Sequence, residues 1–364
     1  MEDTKKMATL AQKFELLLSE MGTLYDVTVG IPVYNIETLI RKGLLTVLEQ
    51  TFEGNMEVLV INDGCTDNTM EIVRELQASH PRGGHIRIYD NAQNMGVGMT
   101  RNTIIDKAQG KYLIFVDSDD YITPDCIQKL YSEAEKHQAE VVYGSVKTIN
   151  SDVELSYLSQ PYRVFDGKDE LASYAFQNLH ENLRNYIWNT LFLVSFLKEQ
   201  RLKFPGTRFH EDVIFSADMV PLVKKAVLIP DITYYYVMRA HSLSNLQGRT
   251  SINQEEIKKF IEIYTYVKNK NKVLRGKPYY EARCARSMTQ MLYIVSGLLK
   301  NKRIITPPLT NRMIKDAMRH PASFSEIMRF RKYRVANLAF FMLGIMPSWL
   351  TVCIISLIAK YKRI

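Results

Sequence analysis

The chain has 364 residues, 46% of them hydrophobic and 24% charged, with a net charge of +8. Those proportions are ordinary for a folded soluble protein, and the length allows two or three domains. The four cysteines, Cys65, Cys126, Cys284 and Cys353, include no CxxC pair, which argues against a zinc or disulfide framework and fits a reducing compartment. The positive charge crowds at Arg329, Arg331, Lys332, Arg334, Lys360, Lys362 and Arg363, beside the most apolar segment. That arrangement favours an anionic membrane surface over a nucleic-acid groove.

Residues Met1–Gly22 alternate acidic and basic side chains without an apolar core. They read as a short amphipathic helix and not as a secretory signal, so the body of the protein is expected in the cytoplasm. Val27–Ile31 is a first strand, running into the turn Pro32-Val33-Tyr34-Asn35, and Glu37–Gln50 follows as a helix. Glu57–Ile61 is a second strand, ending in Asn62-Asp63-Gly64-Cys65-Thr66-Asp67, with a helix at Thr69–Ser79. Ile86–Tyr89 is a third strand, followed by Gly96-Val97-Gly98 and a helix carrying Arg101 and Asn102. Tyr112–Val116 is a fourth and Glu140–Ser145 a fifth. Strand and helix alternate with short loops, which predicts an α/β fold: a mostly parallel sheet with helices on both faces. Right-handed crossovers then gather Tyr34, Asp63, Arg101 and residues 117–120 along one sheet edge.

The fourth strand ends abruptly in Asp117-Ser118-Asp119-Asp120. Carboxylates at the carboxyl end of a buried strand repel one another and resist desolvation, which points to a cation or a polyphosphate–metal complex. The plainer alternative is a cap for the helix Pro124–His137, although Thr123 already supplies one. A dinucleotide-binding Rossmann domain would carry its glycine fingerprint after the first strand, where this chain has Pro32-Val33-Tyr34-Asn35.

Residues 146–185 hold a hairpin and a helix, and Tyr186–Gln200, with Trp188, reads as a helix packed on the core. The triplet His210-Glu211-Asp212 stands at the start of a helix over Val213–Met219; acids there commonly act as caps, but the triplet is also a candidate base. The aromatic strand Asp231–Val237 leads to Arg239-Ala240-His241-Ser242, donors suited to phosphate oxygens. Residues 250–334 read as helical. Val335–Met346 and Trp349–Ala359 are apolar almost all round and are interrupted by Pro347. Twelve helical residues cover only ~18 Å, short of a ~30 Å hydrocarbon core. With basic residues flanking both ends, two short helices lying in the cytoplasmic leaflet are expected; packing on the protein's own core is the alternative.

Taken together these motifs resemble glycosyltransferase family 2. Pro32-Val33-Tyr34-Asn35 with Glu37, Asn62–Asp67, Asn94-x-Gly96 with Arg101-Asn102, Asp117–Asp120, Glu211-Asp212 and Arg239–Ser244 occur in the family's order, over about Val27 to Asn245. Cys65 stands where serine is usual, and Met99-Thr100 where alanines are common. The resemblance implies a GT-A fold, an inverting mechanism and a nucleotide-diphospho-sugar donor, most often a UDP-sugar. It further implies that Pro32, Tyr34, Glu37 and Asp63 hold base and ribose, with Arg101 near the nucleotide. Asp117, Ser118 and Asp119 look like a DxD motif whose Asp119, with Asp117 and His241, meets Mn²⁺ or Mg²⁺. Asp120 would orient sugar or metal, while Arg239, His241 and Ser242 close over the diphosphate. Asp212 matches the catalytic base, with Glu211 beside it.

The domain expectation is a helix over 1–26, a glycosyltransferase domain over 27–245 (27–125 nucleotide half, 126–245 acceptor half), a helical region over 246–334 and a membrane-associating tail over 335–364. The acceptor would be a glycan or lipid-linked polysaccharide precursor at the inner face of the cell membrane. Competing readings are a sugar nucleotidyltransferase, which would normally show a glycine-rich basic loop after the first strand, and a non-catalytic sugar-nucleotide binding module. The oligomeric state is not legible.

Overall fold

A computed structural model describes residues 23–150, 153–177, 183, 186–207, 210–238 and 251–361. The N-terminal helix expected over Met1–Gly22 lies outside the described residues, as do Arg239, His241, Ser242, Lys362 and Arg363. The chain divides into two compact units, one of Met1–Val164, Trp188–Arg201 and Val227–Met238, the other of Phe165–Ile187, Leu202–Ala226 and Arg239–Ile364.

The first unit opens with β1 (Tyr25–Val33), α1 (Ile40–Leu48), β2 (Met56–Asn62), α2 (Thr69–Ser79), β3 (Ile86–Asp90), α3 (Val97–Lys107) and β4 (Gly110–Phe115). Val27, Val29, Ile31, Val58, Val60, Leu113 and Phe115 are all but inaccessible, as expected of strands covered on both faces. β2 pairs parallel with both β1 and β3, and β1 parallel with β4. Because Val33 lies opposite Asn62, and Asn62 opposite Asp90, three strands end level. Their loops leave from one edge, as the alternating pattern requires. At the opposite end, buried Glu57 accepts from the Thr28 hydroxyl at 2.6 Å and from the Gln109 N–H at 2.8 Å, pinning β1, β2 and the start of β4.

Further strands of this unit include β5 (Tyr121–Ile122), β6 (Val141–Asn150), β7 (Val153–Leu158), β8 (Thr190–Leu193) and β9 (Lys225–Val237), whose first two residues fall in the second unit. β6 and β7 form the expected hairpin, and α4 (Cys126–His137) the expected helix. The helix expected over Tyr186–Gln200 is a correction. Asn189 sits at φ 56°, Thr190–Leu193 is a strand antiparallel to both β4 and β6, and only Val194–Glu199 is helical. The run Thr-Leu-Phe-Leu satisfies a sheet position as readily as a helix, and sheet completion decides. Behind it lies a buried polar knot: the Thr233 hydroxyl donates to Asn189 Oδ1 at 2.6 Å, and Asn189 Nδ2 to the Ser145 carbonyl at 2.9 Å.

In the second unit α5 (Glu170–Phe176), α6 (Glu211–Met219), α7 (Gln254–Lys270), α8 (Tyr280–Lys300), α9 (Asn311–Ala317), α10 (Phe324–Met328), α11 (Arg334–Ile345) and α12 (Ser348–Tyr361) pack together. The apolar tail is two helices, as expected. Leu343 and Ile355 sink into a cluster with Met288, Met291, Val295, Ile314 and Met318, supported by Phe340, Val352 and Ile354. Among the described residues no helix is long and apolar enough to cross a membrane.

Candidate active site

The first two loops of the sheet edge are laced together. Asn35, at φ 45°, accepts from the Thr66 N–H at 2.8 Å, the Ile36 N–H donates to the Thr69 hydroxyl at 2.8 Å, and Glu37 accepts from the Asn68 N–H at 2.9 Å. Within β1 Pro32 is buried, while Tyr34, just beyond it, is exposed. Gly64 takes φ 81°, a conformation that glycine adopts without Cβ strain.

Asp63 is the organiser of this edge. Its side chain is buried; Oδ1 accepts from Asn91 Nδ2 at 2.7 Å and the Met95 N–H at 2.9 Å, and Oδ2 from the Gly96 N–H at 2.9 Å. Gly96, at φ 84°, then starts α3, which carries Arg101 inward. Arg101 is buried and donates to Asp117 Oδ1 at 2.7 Å, so the third loop is tied to the acidic turn after β4.

Carboxylate oxygens of Asp117, Asp119 and Asp120 lie within 4.8 Å of one another; the first two are half-buried and the third is 1% exposed. Asp120 is held from outside its own loop: Oδ2 accepts from the Tyr234 hydroxyl at 2.9 Å and Oδ1 from the Val237 N–H at 2.8 Å. Burial, then the charge of Asp117, pushes its carboxyl well above the usual carboxylate range. The Trp188 ring stacks on Tyr234, 4.7 Å between centroids, and on Tyr236, at 5.5 Å. A divalent, hard cation fits this donor set, since all donors are carboxylate oxygens gathered at one point. Of the three, Asp117 has one oxygen on Arg101, and Asp120 has both oxygens accepting hydrogen bonds.

Sequence reasoning missed what supports the turn from below. A Cβ on Gly43 of α1 would stand 3.0 Å from the Asp120 carbonyl oxygen and 3.2 Å from that of Ser118, so any larger residue would press on the turn. Gln50 Nε2 donates to the Thr123 carbonyl at 2.7 Å and Gln50 Oε1 accepts from the Ile127 N–H at 3.0 Å, fixing the exit from the turn. A glycine inside the otherwise helical 37–50 run was the available signal.

In the second unit His210 precedes α6 at φ 56°, and Glu211 and Asp212 form its first turn. Glu211 is buried and Asp212 half-buried, with Asp212 Oδ1 accepting from the Val213 N–H at 2.8 Å. The His210 ring meets Phe260 and Tyr264 of α7 edge-on at 4.8 and 5.7 Å, and burial lowers its pKa while Glu211 opposes that shift. Ile214 and Ala217 pack against Ile263 and Val267, so α6 is set rigidly on α7.

Residues 28–199 match the family model described as glycosyl transferase family 2. The chain is 30% identical over 231 residues to Glycosyltransferase GlyA of Streptococcus pneumoniae serotype 4, covering 60% of this chain and 32% of that one. It is 28% identical over 217 residues to the poly(ribitol-phosphate) beta-glucosyltransferase of Bacillus spizizenii, covering 58% and 32%. It thus spans about a third of each relative. Among solved structures, S. aureus TarS 1-349 in complex with UDP-GlcNAc is similar with a TM-score of 0.56 at 15% identity, over 88% of this chain and 90% of that one. At that identity the likeness concerns the fold, a GT-A-type α/β sheet followed by helices.

Proposed function

This chain belongs to glycosyltransferase family 2, and from that premise we propose that it transfers a sugar from a UDP-sugar to a hydroxyl of a cell-surface glycan or lipid-linked acceptor, with inversion. The observation that carries the reading is the ordered edge of the first unit: Asp63 fixing the third loop, Arg101 bound to Asp117, and carboxylates converging within 4.8 Å. The donor class is supported by TarS, whose structure holds UDP-GlcNAc, and the acceptor class by the ribitol-phosphate polymer named for the Bacillus relative.

In this reading Tyr34 and the loop around Asp63 receive the nucleotide. Asp119, with Asp117, would hold Mn²⁺ or Mg²⁺; bound there, such an ion offsets the charge that grows on a departing diphosphate. Arg101 holds Asp117 in place. His241, which with Arg239 and Ser242 lies outside the described residues, is proposed to supply further donors to the diphosphate. Asp212 takes the proton from the acceptor hydroxyl, whose oxygen forms the new bond to the anomeric carbon. The bond from that carbon to the diphosphate oxygen breaks, the nucleoside diphosphate leaves, and attack from the opposite face inverts the configuration. Glu211, buried beside the base, has the role of positioning it. The enzyme works at the cytoplasmic face of the membrane, as a peripheral protein.

A panel of nucleotide sugars, incubated with and without Mn²⁺ or Mg²⁺ and assayed for free nucleoside diphosphate, tests this. Metal-dependent release from one UDP-sugar is expected. Pyrophosphate made from a nucleoside triphosphate and a sugar phosphate, with no such release, would overturn it.

A further inference from the structure

We infer that the outward faces of α11 and α12 form a docking surface for an anionic lipid bilayer, a step that builds on the peripheral placement proposed above. Both helices pack on α8 and α9, and their inner sides fill the cluster around Met291 and Met318. The outer sides are apolar too. Val335, Met342 and Ile345 on α11 are 80%, 42% and 55% exposed, and Trp349 and Leu357 on α12 are 63% and 64% exposed. Within each helix those positions fall on one face by their spacing. Single exposed apolar residues are common on monomers; two consecutive helices each carrying an apolar stripe in water are not.

Charge selects the occupant. No Asp or Glu occurs after Glu326, whereas exposed Arg329, Arg331, Lys332 and Arg334 precede or open α11 and exposed Lys360 nears the end of α12. A recess of about 590 Å³ at the head of α11 is lined by Arg331, Tyr333, Arg334, Val335, Ala336 and Ala339, so two guanidinium groups stand beside an apolar wall. That pairing matches a phospholipid, with phosphate on the arginines and chain on the alanines. The turn is held still: Glu281 accepts from the backbone N–H groups of Arg331 and Lys332 at 2.9 and 2.6 Å. Helices of 12 and 14 residues are too short to span, but an outward apolar face with basic ends suits one that lies in the headgroup layer. Trp349, at the start of α12, has the amphipathic ring common at that depth.

Co-sedimentation of the full chain with vesicles tests the surface, using phosphatidylglycerol–phosphatidylcholine mixtures against phosphatidylcholine alone. Binding at least tenfold tighter to the anionic vesicles is expected, since each basic residue near such a surface contributes about fivefold. The pair Met342→Glu and Leu357→Glu, and separately Arg331→Glu and Arg334→Glu, should each weaken binding tenfold or more with an unchanged melting temperature. If the apolar pair unfolds, the exposed arginine pair decides. Equal binding to both vesicle types, or full binding by the arginine variant, would overturn the inference. So would a concentration-dependent dimer abolished by the same changes, which would make this face an interface between copies. UDP-sugar turnover in vesicle-free solution should be unchanged in the arginine variant; loss of vesicle binding with turnover intact separates this surface from the catalytic reading.

Discussion

Replacing Asp63 with alanine tests whether the nucleotide edge is assembled by that side chain or merely contains it. Asp63 is 3% exposed and its two oxygens accept three N–H groups, from Asn91, Met95 and Gly96, at 2.7 to 2.9 Å. Hydrogen bonds to a charged acceptor contribute about 1.5–3 kcal/mol each, and a buried donor left without one costs about 1–3 kcal/mol. Relaxation of the 91–96 loop and entering water recover part of that, so a net loss of about 3–5 kcal/mol is expected. Asp63→Asn keeps one acceptor oxygen and turns an N–H toward these donors, and should lose about half as much. Urea denaturation gives the total, and amide hydrogen exchange locates it: protection at Met95 and Gly96 should fall first. If Asp63→Ala costs less than ~1 kcal/mol and leaves those two amides protected, the organising role is refuted. An Asp63 that served the nucleotide alone would raise the donor KM with stability untouched.

Arg101→Ala removes the partner of Asp117 within a largely buried pair, at an expected cost of about 3 kcal/mol in urea denaturation, with donor affinity lost as well. Gly43→Val drives side-chain carbons onto the carbonyls of Ser118 and Asp120, so activity should drop tenfold or more while far-ultraviolet circular dichroism stays native. Tyr234→Phe strips a hydroxyl from Asp120 and should cost about 1–2 kcal/mol by thermal melting. His210 and His320 have pKa values lowered by burial from an ordinary 6.5. Below that pH the unfolded chain binds more protons than the folded one, so stability should decline on acidification from about 6.5. His320→Asn should flatten that slope.

The parallel half of the fold was legible because apolar runs, short turns and crossover handedness all pointed the same way. Val27–Ile31, Glu57–Ile61 and Tyr112–Val116 carry their strand identity in composition alone, and the Asp117–Asp120 turn announces itself by stacking acids where desolvation is costly. What escaped notice depends on partners far along the chain. Thr190–Leu193 becomes a strand because β4 and β6 need it between them, and no local propensity decides that. Asp120 reads by adjacency as orienting sugar or metal, and nothing local announces that Tyr234 and Val237, 114 and 117 residues away, donate to its two oxygens. The apolar tail read as all-round hydrophobic, and only packing divides it into the inner face on Met291 and the outer face of Trp349 and Leu357. Gly43 carried a legible signal, a glycine within a helical run, whose meaning required the turn it passes.

Donor binding and turnover measured in parallel on Asp119→Ala and Asp212→Asn probe the proposed division of labour most directly. Calorimetry should show metal-dependent UDP-sugar binding by the wild type, its loss in Asp119→Ala, and near-native affinity in Asp212→Asn. Turnover of Asp212→Asn should nonetheless fall ~100-fold or more, the scale of a lost general base. Full turnover in Asp212→Asn, or undiminished metal-dependent binding in Asp119→Ala, would contradict the assignment of base and metal ligand.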